Sequence, residues 1–251
     1  MSESLEGKAA IVTGAGRGLG RAMAEALARA GASVVLAGRT VADLEVVAKQ
    51  IESDGGRAVA VRCDVTDPDE VDALVATAVA AYGRIDVLVN NSGVVDTTTL
   101  LEQDPERWDR VLDTNLRGVY LTTRAVGRHM VEQKSGKVIN IASNFALMGV
   151  SHHAAYSSSK AAVIAFTRSM AIEWARHNIQ VNAVAPGYFA TDINAGLRDD
   201  EAAVKAVTQR IPARRMGRPE ELQPWVVLLA GSASDFMTGS TVVIDGGQSA
   251  Q

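Results

Sequence analysis

Short apolar segments rich in β-branched residues alternate with longer Ala-rich segments along the chain. The apolar segments predict strands at Ala9–Val12, Ser33–Ala37, Ala58–Cys63, Ile85–Val89, Lys137–Ile141, Gln180–Ala185 and Thr241–Ile244. The segments between them have apolar residues at helical spacing and predict helices at about Gly18–Ala30, Val41–Asp54, Asp69–Tyr82, Pro105–Glu132, Ala154–His177 and Pro219–Ala230. Continuously apolar strands joined by helical crossovers are typical of a parallel sheet covered on both faces.

This alternation predicts a single doubly wound α/β domain over residues 1–251, of the Rossmann type, with a seven-stranded parallel sheet and helices on both faces. No linker, repeat or low-complexity tract interrupts the pattern. A less regular segment at about 187–217 follows the sixth strand, and we expect it to form a substrate loop.

Composition and charge narrow the class of protein. The chain is 47% hydrophobic and 22% charged, which is typical of a globular protein, and its net charge of −4 offers no basic excess for nucleic acid or an anionic membrane. The single cysteine, Cys63, excludes an intrachain disulfide and fits a reducing compartment. No apolar stretch approaches the ~20 residues that span a bilayer. We therefore expect a cytoplasmic protein without a nucleic-acid or membrane partner.

A glycine-rich turn follows the first predicted strand. It contains Gly14, Gly16, Gly18 and Gly20 and leads directly into the first helix. Glycines let the backbone approach a pyrophosphate closely, and a helix N-terminus offers N–H groups and positive potential. Such a cluster can also be an ordinary turn, but its position at a strand-to-helix junction favours a dinucleotide site.

The end of the second strand indicates which dinucleotide is bound. An acidic residue normally accepts the adenosine ribose hydroxyls at this point, but Gly38 and Arg39 stand there instead. A guanidinium can bind a 2′-phosphate through charge-assisted hydrogen bonds, and Arg17 offers a second positive charge. Both arginines could also be solvated surface residues. The pattern predicts NADP(H) as cofactor.

Tyr156 and Lys160 stand four residues apart in a predicted helix and therefore share one of its faces. An ordinary phenol is a poor proton acceptor at neutral pH, but an adjacent ammonium and an oxidised nicotinamide favour the phenolate. We therefore expect the pKa of Tyr156 to be depressed. The pair predicts a proton-transfer site.

Two further polar residues stand at positions suited to this site. Ser143 follows the strand Lys137–Ile141 at its carboxyl end, where it could hold a carbonyl oxygen or serve as an ordinary turn residue. Asn115 lies within a predicted helix although an amide is a mediocre helix former, so it is either exposed or interrupts the helix.

These features resemble the short-chain dehydrogenase/reductase family from about Gly7 to Gly247. The resemblance rests on Thr13-Gly-x-x-x-Gly-x-Gly20, Asp64-Val65, Asn90-Asn-Ser-Gly93, Asn115, Ser143, Tyr156-x-x-x-Lys160, Pro186-Gly187 with Thr191, and Asp245-Gly-Gly247. One departure is Ser92, which stands where alanine is usual.

The resemblance implies a role for each matching residue. Tyr156 would be the general acid/base, Lys160 would hold the nicotinamide ribose and lower the tyrosine pKa, and Ser143 would orient the carbonyl. Asn115 would support a proton-relay water. The predicted cofactor-binding residues are Gly14, Arg17, Gly18, Leu19, Gly20, Arg39, Asp64, Val65, Asn91, Gly93, Tyr156, Lys160, Phe189 and Thr191. The resemblance also implies a homotetramer.

The expected reaction is reversible hydride transfer between NADP(H) and a ketone or secondary alcohol. The runs 186–192 and 215–222 resemble the sugar-acid and polyol branch of the family, such as gluconate 5-dehydrogenases. The 3-oxoacyl-carrier-protein reductases share the framework, and Phe145, Tyr188 and Phe189 could equally line an apolar pocket. A non-catalytic nucleotide sensor is a third alternative. Neighbouring His152 and His153 point to opposite sides of an extended segment, so no metal site is expected.

Overall fold

Seven parallel strands form one sheet in the computed structural model, which describes residues 4–191 and 201–250. The strands are β1 Ala9–Thr13, β2 Ser33–Gly38, β3 Arg57–Arg62, β4 Val87–Asn90, β5 Gly136–Ile141, β6 Ile179–Pro186 and β7 Thr241–Ile244. Their spatial order is β3-β2-β1-β4-β5-β6-β7. The predicted doubly wound α/β fold is confirmed. The largest revision of a strand end is at β4, which begins at Val87 rather than Ile85.

Helices connect the strands. They are α1 Gly18–Arg29, α2 Val41–Ser53, α3 Pro68–Tyr82, α4 Pro105–Leu112, α5 Gly118–Gln133, α6 Ala154–Trp174, α7 Glu201–Gln209 and α8 Gln223–Ala230. Short 3₁₀ turns precede α8 and follow α6. The predicted substrate loop at 187–217 therefore contains a helix, α7, while its residues 192–200 lie outside the described part of the chain.

The prediction of one continuous helix over Pro105–Glu132 is wrong. A π-helical turn, Asp113–Arg117, separates α4 from α5. Such a turn inserts an extra residue into the helical ladder and is characteristic of functional sites. The buried Asn115 lies at its centre, so of the two alternatives for this residue the interruption is correct.

The sheet is covered on both faces because successive side chains of each strand point in opposite directions. Val34 of β2 packs in a cluster with α1, α2 and α8, whereas its neighbour Val35 packs in a second cluster with α3 and α5. A third cluster joins α6 to β6. Both valines are fully buried, and burial of such a side chain contributes about 1.5–3 kcal/mol. Among the described residues, no helix is long and apolar enough to cross a bilayer.

The direction of winding reverses next to β1. This strand pairs with β2 on one side and with β4 on the other, with Ala10 opposite both Val34 and Val87. Crossovers leaving β1 and β4 go to opposite sides, which opens a crevice at the carboxyl ends of these strands. The fold therefore places its ligand site at the end of β1.

Candidate active site

A cavity of about 1180 Å³ lies along the carboxyl ends of the strands. Nearly all residues singled out from the sequence line it: Gly14, Arg17, Gly18, Leu19, Gly20, Arg39, Asp64, Val65, Asn91, Gly93, Ser143, Tyr156, Lys160, Phe189 and Thr191. Asn115 is the exception: it does not line the cavity but is fully buried behind the residues that do. The structure thus brings the predicted nucleotide site and the predicted proton-transfer site into one cleft.

The glycine turn after β1 has a backbone that other residues rarely adopt. Gly14 and Gly18 have φ angles of +62° and +55° in the left-handed region. A Cβ at Gly20 would lie 2.1 Å from the carbonyl oxygen of Gly14, so the helix could not begin so close to the turn with any other residue. Helix α1 has no side-chain cap and no acidic residue in its first turn. Its positive end is therefore available for an anion.

Two arginines lie at the cavity, Arg17 in the glycine turn after β1 and Arg39 directly after β2. Arg39 and Arg17 are both exposed and both line the cavity. Burial acts to raise the pKa of Asp64, but hydrogen bonds from Thr66 and the charge of Arg39 outweigh it, so the pKa is lowered. The Thr66 N–H and Oγ donate to Asp64 Oδ1 over 3.0 and 2.8 Å. Arg39 and Asp64 therefore lie near each other, at the same end of the cleft.

Asn91 joins the two strands at the reversal point. Its Nδ2 donates to the carbonyl oxygens of Thr13 and Gly14 over 2.9 and 3.2 Å, and its N–H donates to Thr13 Oγ1 over 2.9 Å. These bonds fix the glycine turn to the end of β4. Asn91 is therefore a support for the turn.

Tyr156, Lys160 and Ser143 meet at the end of β5. Lys160 Nζ lies 5.9 Å from the centre of the Tyr156 ring and donates to the Ile141 carbonyl oxygen over 2.7 Å. The hydroxyls of Ser143 and Tyr156 are hydrogen-bonded, and Ser143 Oγ also accepts from the Phe145 N–H over 3.2 Å. Two hydroxyls and an ammonium thus share one corner of the cavity.

The expected depression of the Tyr156 pKa is not found in the protein alone. Burial raises the pKa of the phenol and outweighs the hydrogen bond with Ser143, which lowers it. Lys160 is itself buried, and burial lowers the pKa of its ammonium to about 8. Removal from water disfavours the charged form of each group, so burial raises the pKa of the phenol and lowers that of the ammonium.

The side chain of Asn115 holds the loop after β4. Its Oδ1 accepts from the Val94 N–H over 2.8 Å, and its Nδ2 donates to the Val94 carbonyl and to Ser159 Oγ over 2.9 and 3.0 Å. Ser159 Oγ in turn donates to the Tyr156 carbonyl over 2.7 Å. The Asn115 amide therefore connects the loop to the helix that carries Tyr156, and its role with a relay water stays a prediction.

Sequence reasoning missed a clamp beside Ser143. Asn144 is buried next to the serine, and its Nδ2 donates to Asp245 Oδ2 over 3.3 Å and to Gln248 Oε1 over 2.9 Å. Asp245 also accepts from the N–H groups of Gly247 and Ser249. The Asp-Gly-Gly motif was the available signal, but the sequence did not show its contact with residue 144.

Aromatic rings form the wall next to Tyr156. Phe145 lies at their centre, in edge-to-face contact with His153, Tyr156 and Tyr188 at centroid distances of 5.0, 6.2 and 5.7 Å. Within residues 4–191 and 201–250, no group of three or more His, Cys, Asp or Glu residues could hold a metal ion.

Comparison with known proteins extends these observations. Residues 8–202 match the family model for short chain dehydrogenases. The chain is 42% identical to 2-dehydro-3-deoxy-D-gluconate 5-dehydrogenase of Escherichia coli (97% of this chain, 96% of the relative). It is 44% identical to 3-oxoacyl-[acyl-carrier-protein] reductase of Synechocystis (97% and 98%). The crystal structure of a gluconate 5-dehydrogenase from Burkholderia cenocepacia in complex with NADP and tartrate is similar, with a TM-score of 0.94 at 38% identity (99% and 97% covered).

Proposed function

The chain belongs to the short-chain dehydrogenase family, and on this premise we propose that it transfers hydride reversibly between NADP(H) and a ketone or secondary alcohol, with a sugar acid as substrate. One observation carries the proposal: Tyr156, Ser143 and Lys160 line the same cavity as the glycine turn. A proton-transfer group and a dinucleotide cradle in one cleft are what reduction of a carbonyl requires.

The residues at the end of β1 and β2 fit a dinucleotide phosphate. Gly14, Gly18 and Gly20 leave room for it beside the uncapped N-terminus of α1, and Arg39 and Arg17 suit a 2′-phosphate. Asp64 and Val65 would flank the adenine, Asn91 and Gly93 the nicotinamide ribose, and Phe189 and Thr191 the carboxamide side. When bound, the cofactor supplies the hydride.

The catalytic groups bind the carbonyl oxygen of the substrate and transfer a proton to it. Ser143 holds this oxygen by a hydrogen bond, and the neutral Tyr156 phenol donates the proton to it as the carbon is reduced. In the reverse direction, the phenolate accepts the proton from the alcohol. Lys160 holds the nicotinamide ribose and, with Ser143, favours the phenolate. Asn115 supports a water in the proton relay.

The sugar-acid substrate is supported by the relatives named gluconate dehydrogenases and by polar groups in the wall, such as Asn144 and His153. The Synechocystis relative favours a second candidate, the reduction of a 3-oxoacyl chain carried on a protein. Phe145, Tyr188 and Phe189 would provide an apolar wall for such a chain. We further propose that the segment 187–217 contributes to substrate binding through its described residues at the cavity, such as Tyr188 and Phe189.

An assay with a panel of ketones tests the proposal. NADPH oxidation is followed with 5-keto-D-gluconate, a 3-oxoacyl thioester and simple ketones, and NADH replaces NADPH in parallel. We expect 5-keto-D-gluconate to be the preferred substrate. Tyr156→Phe is the matched control, since it removes the proton donor and should lower turnover by at least about 10²-fold while NADPH binds as before. If no ketone is reduced, the proposed activity is wrong.

We propose a cytoplasmic homotetramer as the assembled form. A groove of about 530 Å³ between α5 and α6 supports it. Apolar and charged residues of both signs line this groove: Tyr120, Arg124, Arg128, Glu132, Phe166, Met170, Glu173 and Trp174. A surface that carries both signs of charge beside apolar rings can be complementary to itself across a two-fold axis.

A further inference from the structure

We infer that His153 is a specificity residue, whose Nε2 accepts a hydrogen bond from a substrate hydroxyl adjacent to the reacting carbonyl. The inference rests on the proposed function and names the feature of the substrate that this wall recognises. An α-hydroxyketone is the chemical class that fits.

His153 stands at the reacting end of the cleft. It immediately precedes α6, three residues before Tyr156, and it lines the cavity. The centroids of the two rings are 6.5 Å apart with an interplanar angle of 71°. When Tyr156 and Ser143 bind the carbonyl oxygen of a substrate, the carbon atoms next to that carbonyl therefore lie close to the imidazole.

Packing holds the imidazole in place. Its ring meets Phe145 edge to face, with centroids 5.0 Å apart and planes at 83°. Phe145 is buried, and its N–H donates to Ser143 Oγ, so the ring that supports His153 is attached to the residue that holds the carbonyl. A ring fixed in this way can discriminate between substrates, because it does not turn aside to accommodate a wrong one.

One hydrogen bond determines which nitrogen carries the proton. His153 Nδ1 lies 2.8 Å from the carbonyl oxygen of Ser151, and a carbonyl oxygen can only accept. Nδ1 therefore carries the hydrogen, and in the neutral ring Nε2 has the lone pair. Within the described part of the chain, Nε2 has no hydrogen-bond partner. It is an acceptor suited to a hydroxyl.

The rest of the wall explains why a hydroxyl matters. Phe145 packs against both His153 and Tyr188, so the wall beside the imidazole is largely aromatic and offers a substrate hydroxyl few other acceptors. A substrate without this hydroxyl cannot make this hydrogen bond, which lowers its kcat/KM. A 3-oxoacyl chain has no such hydroxyl.

The test compares two ketones that differ by one hydroxyl, 3-hydroxy-2-butanone and 2-butanone, with NADPH as reductant. His153→Phe keeps a ring against Phe145 and removes both nitrogens. We expect kcat/KM for 3-hydroxy-2-butanone to fall about 10-fold, as for loss of one hydrogen bond, and that for 2-butanone to stay within about twofold. His153→Leu should give the same selective loss, and it replaces the Phe variant in the test if that variant does not fold. His152→Asn is the matched control, because His152 is exposed, has a φ of +64° that asparagine tolerates, and should change neither value.

The outcomes separate this inference from the proposed function. A wild-type protein that reduces no ketone with NADPH overturns the proposed function. A wild-type protein that reduces ketones, with variants that lose both substrates equally or neither, overturns the role of His153 alone. A selective loss of the hydroxyketone supports it.

Discussion

Lys160 Nζ donates a 2.7 Å hydrogen bond to the backbone carbonyl oxygen of Ile141. Ile141 is the last residue of β5, and Ser143 follows it by two positions. One hydrogen bond therefore joins the helix that carries Tyr156 to the strand that carries Ser143. This bond, together with the packing of α6 on the sheet, sets the distance between the hydroxyls of Tyr156 and Ser143.

Lys160→Met should change how stability depends on pH. Burial lowers the pKa of Lys160 from 10.5 to about 8, so the unfolded chain holds this proton to higher pH than the folded chain. Wild-type stability therefore gains with pH between about 8 and 10.5, by about 3 kcal/mol in total, and the variant lacks this gain. Urea unfolding at pH 7, 8.5 and 10 measures the free energy of unfolding of both proteins. Parallel curves for the two proteins would contradict a charged, buried Lys160.

Ser143→Ala should impair catalysis in two ways. Loss of the hydroxyl that holds the carbonyl oxygen should lower kcat by about 10²–10³-fold. The hydrogen bond with Ser143 also lowers the pKa of Tyr156, so its loss raises that pKa further. The rate of alcohol oxidation rises with pH as the phenolate forms, so this ascending limb of the pH profile should then move to higher pH. Ser143→Thr keeps a hydroxyl and should leave the limb in place; an unmoved limb in the Ala variant would refute the link.

Asn115→Ala should destabilise the loop after β4. The substitution removes three hydrogen bonds and leaves the N–H and carbonyl of Val94 unpaired, at a cost of at least about 2 kcal/mol. Ser159→Ala is the control, since it removes one of these bonds and the bond from Ser159 Oγ to the Tyr156 carbonyl but leaves Val94 paired; it should cost about 1 kcal/mol. Thermal unfolding compares them. Equal losses would mean that Val94 is not held by Asn115.

Asn115 also shows which features of the fold could not be predicted from the sequence. The glycine turn and the Tyr156–Lys160 pair were predictable because their signals are local: a strand followed by glycines, and a spacing of four in a helix. The π-turn at Asn115 was not, because the bonds that stabilise it reach residues 21 and 44 positions away. The raised pKa of Tyr156 was also missed, since burial depends on the whole fold.

Arg39 should determine cofactor preference. A charged hydrogen bond to the 2′-phosphate corresponds to about 10- to 150-fold in kcat/KM for NADPH over NADH. Gly38→Asp/Arg39→Ala should abolish or invert this ratio. A Cβ at Gly38 would lie 3.4 Å from Leu44 Cδ2, which is ordinary contact, so the fold should accept the change. Arg62→Ala is the control, because Arg62 lies opposite Gly38 in the register of β2 and β3. Equal use of both cofactors by the wild type would refute the role of Arg39.

Tyr120→Glu should break the proposed assembly. Tyr120 is exposed and lines the groove between α5 and α6. The substitution would remove its aromatic ring from the interface and add a carboxylate beside Glu132 and Glu173 of the same groove. Light scattering should show about four times the 26.4 kDa chain mass for the wild type and a smaller mass for the variant. Ile172→Glu is the control, since Ile172 is 83% exposed on α6 outside the groove. A monomeric wild type would exclude the tetramer.

The position of β1 between β2 and β4 also determines what a growing chain exposes during synthesis. β2 and β3 are both made before the second partner of β1, which begins at Val87. Until β4 has left the ribosome, one edge of the apolar strand β1 has unpaired N–H and carbonyl groups. Such an edge can pair with strands of other nascent chains. The strand that leads into the glycine turn therefore keeps an unpaired edge until β4 has been made.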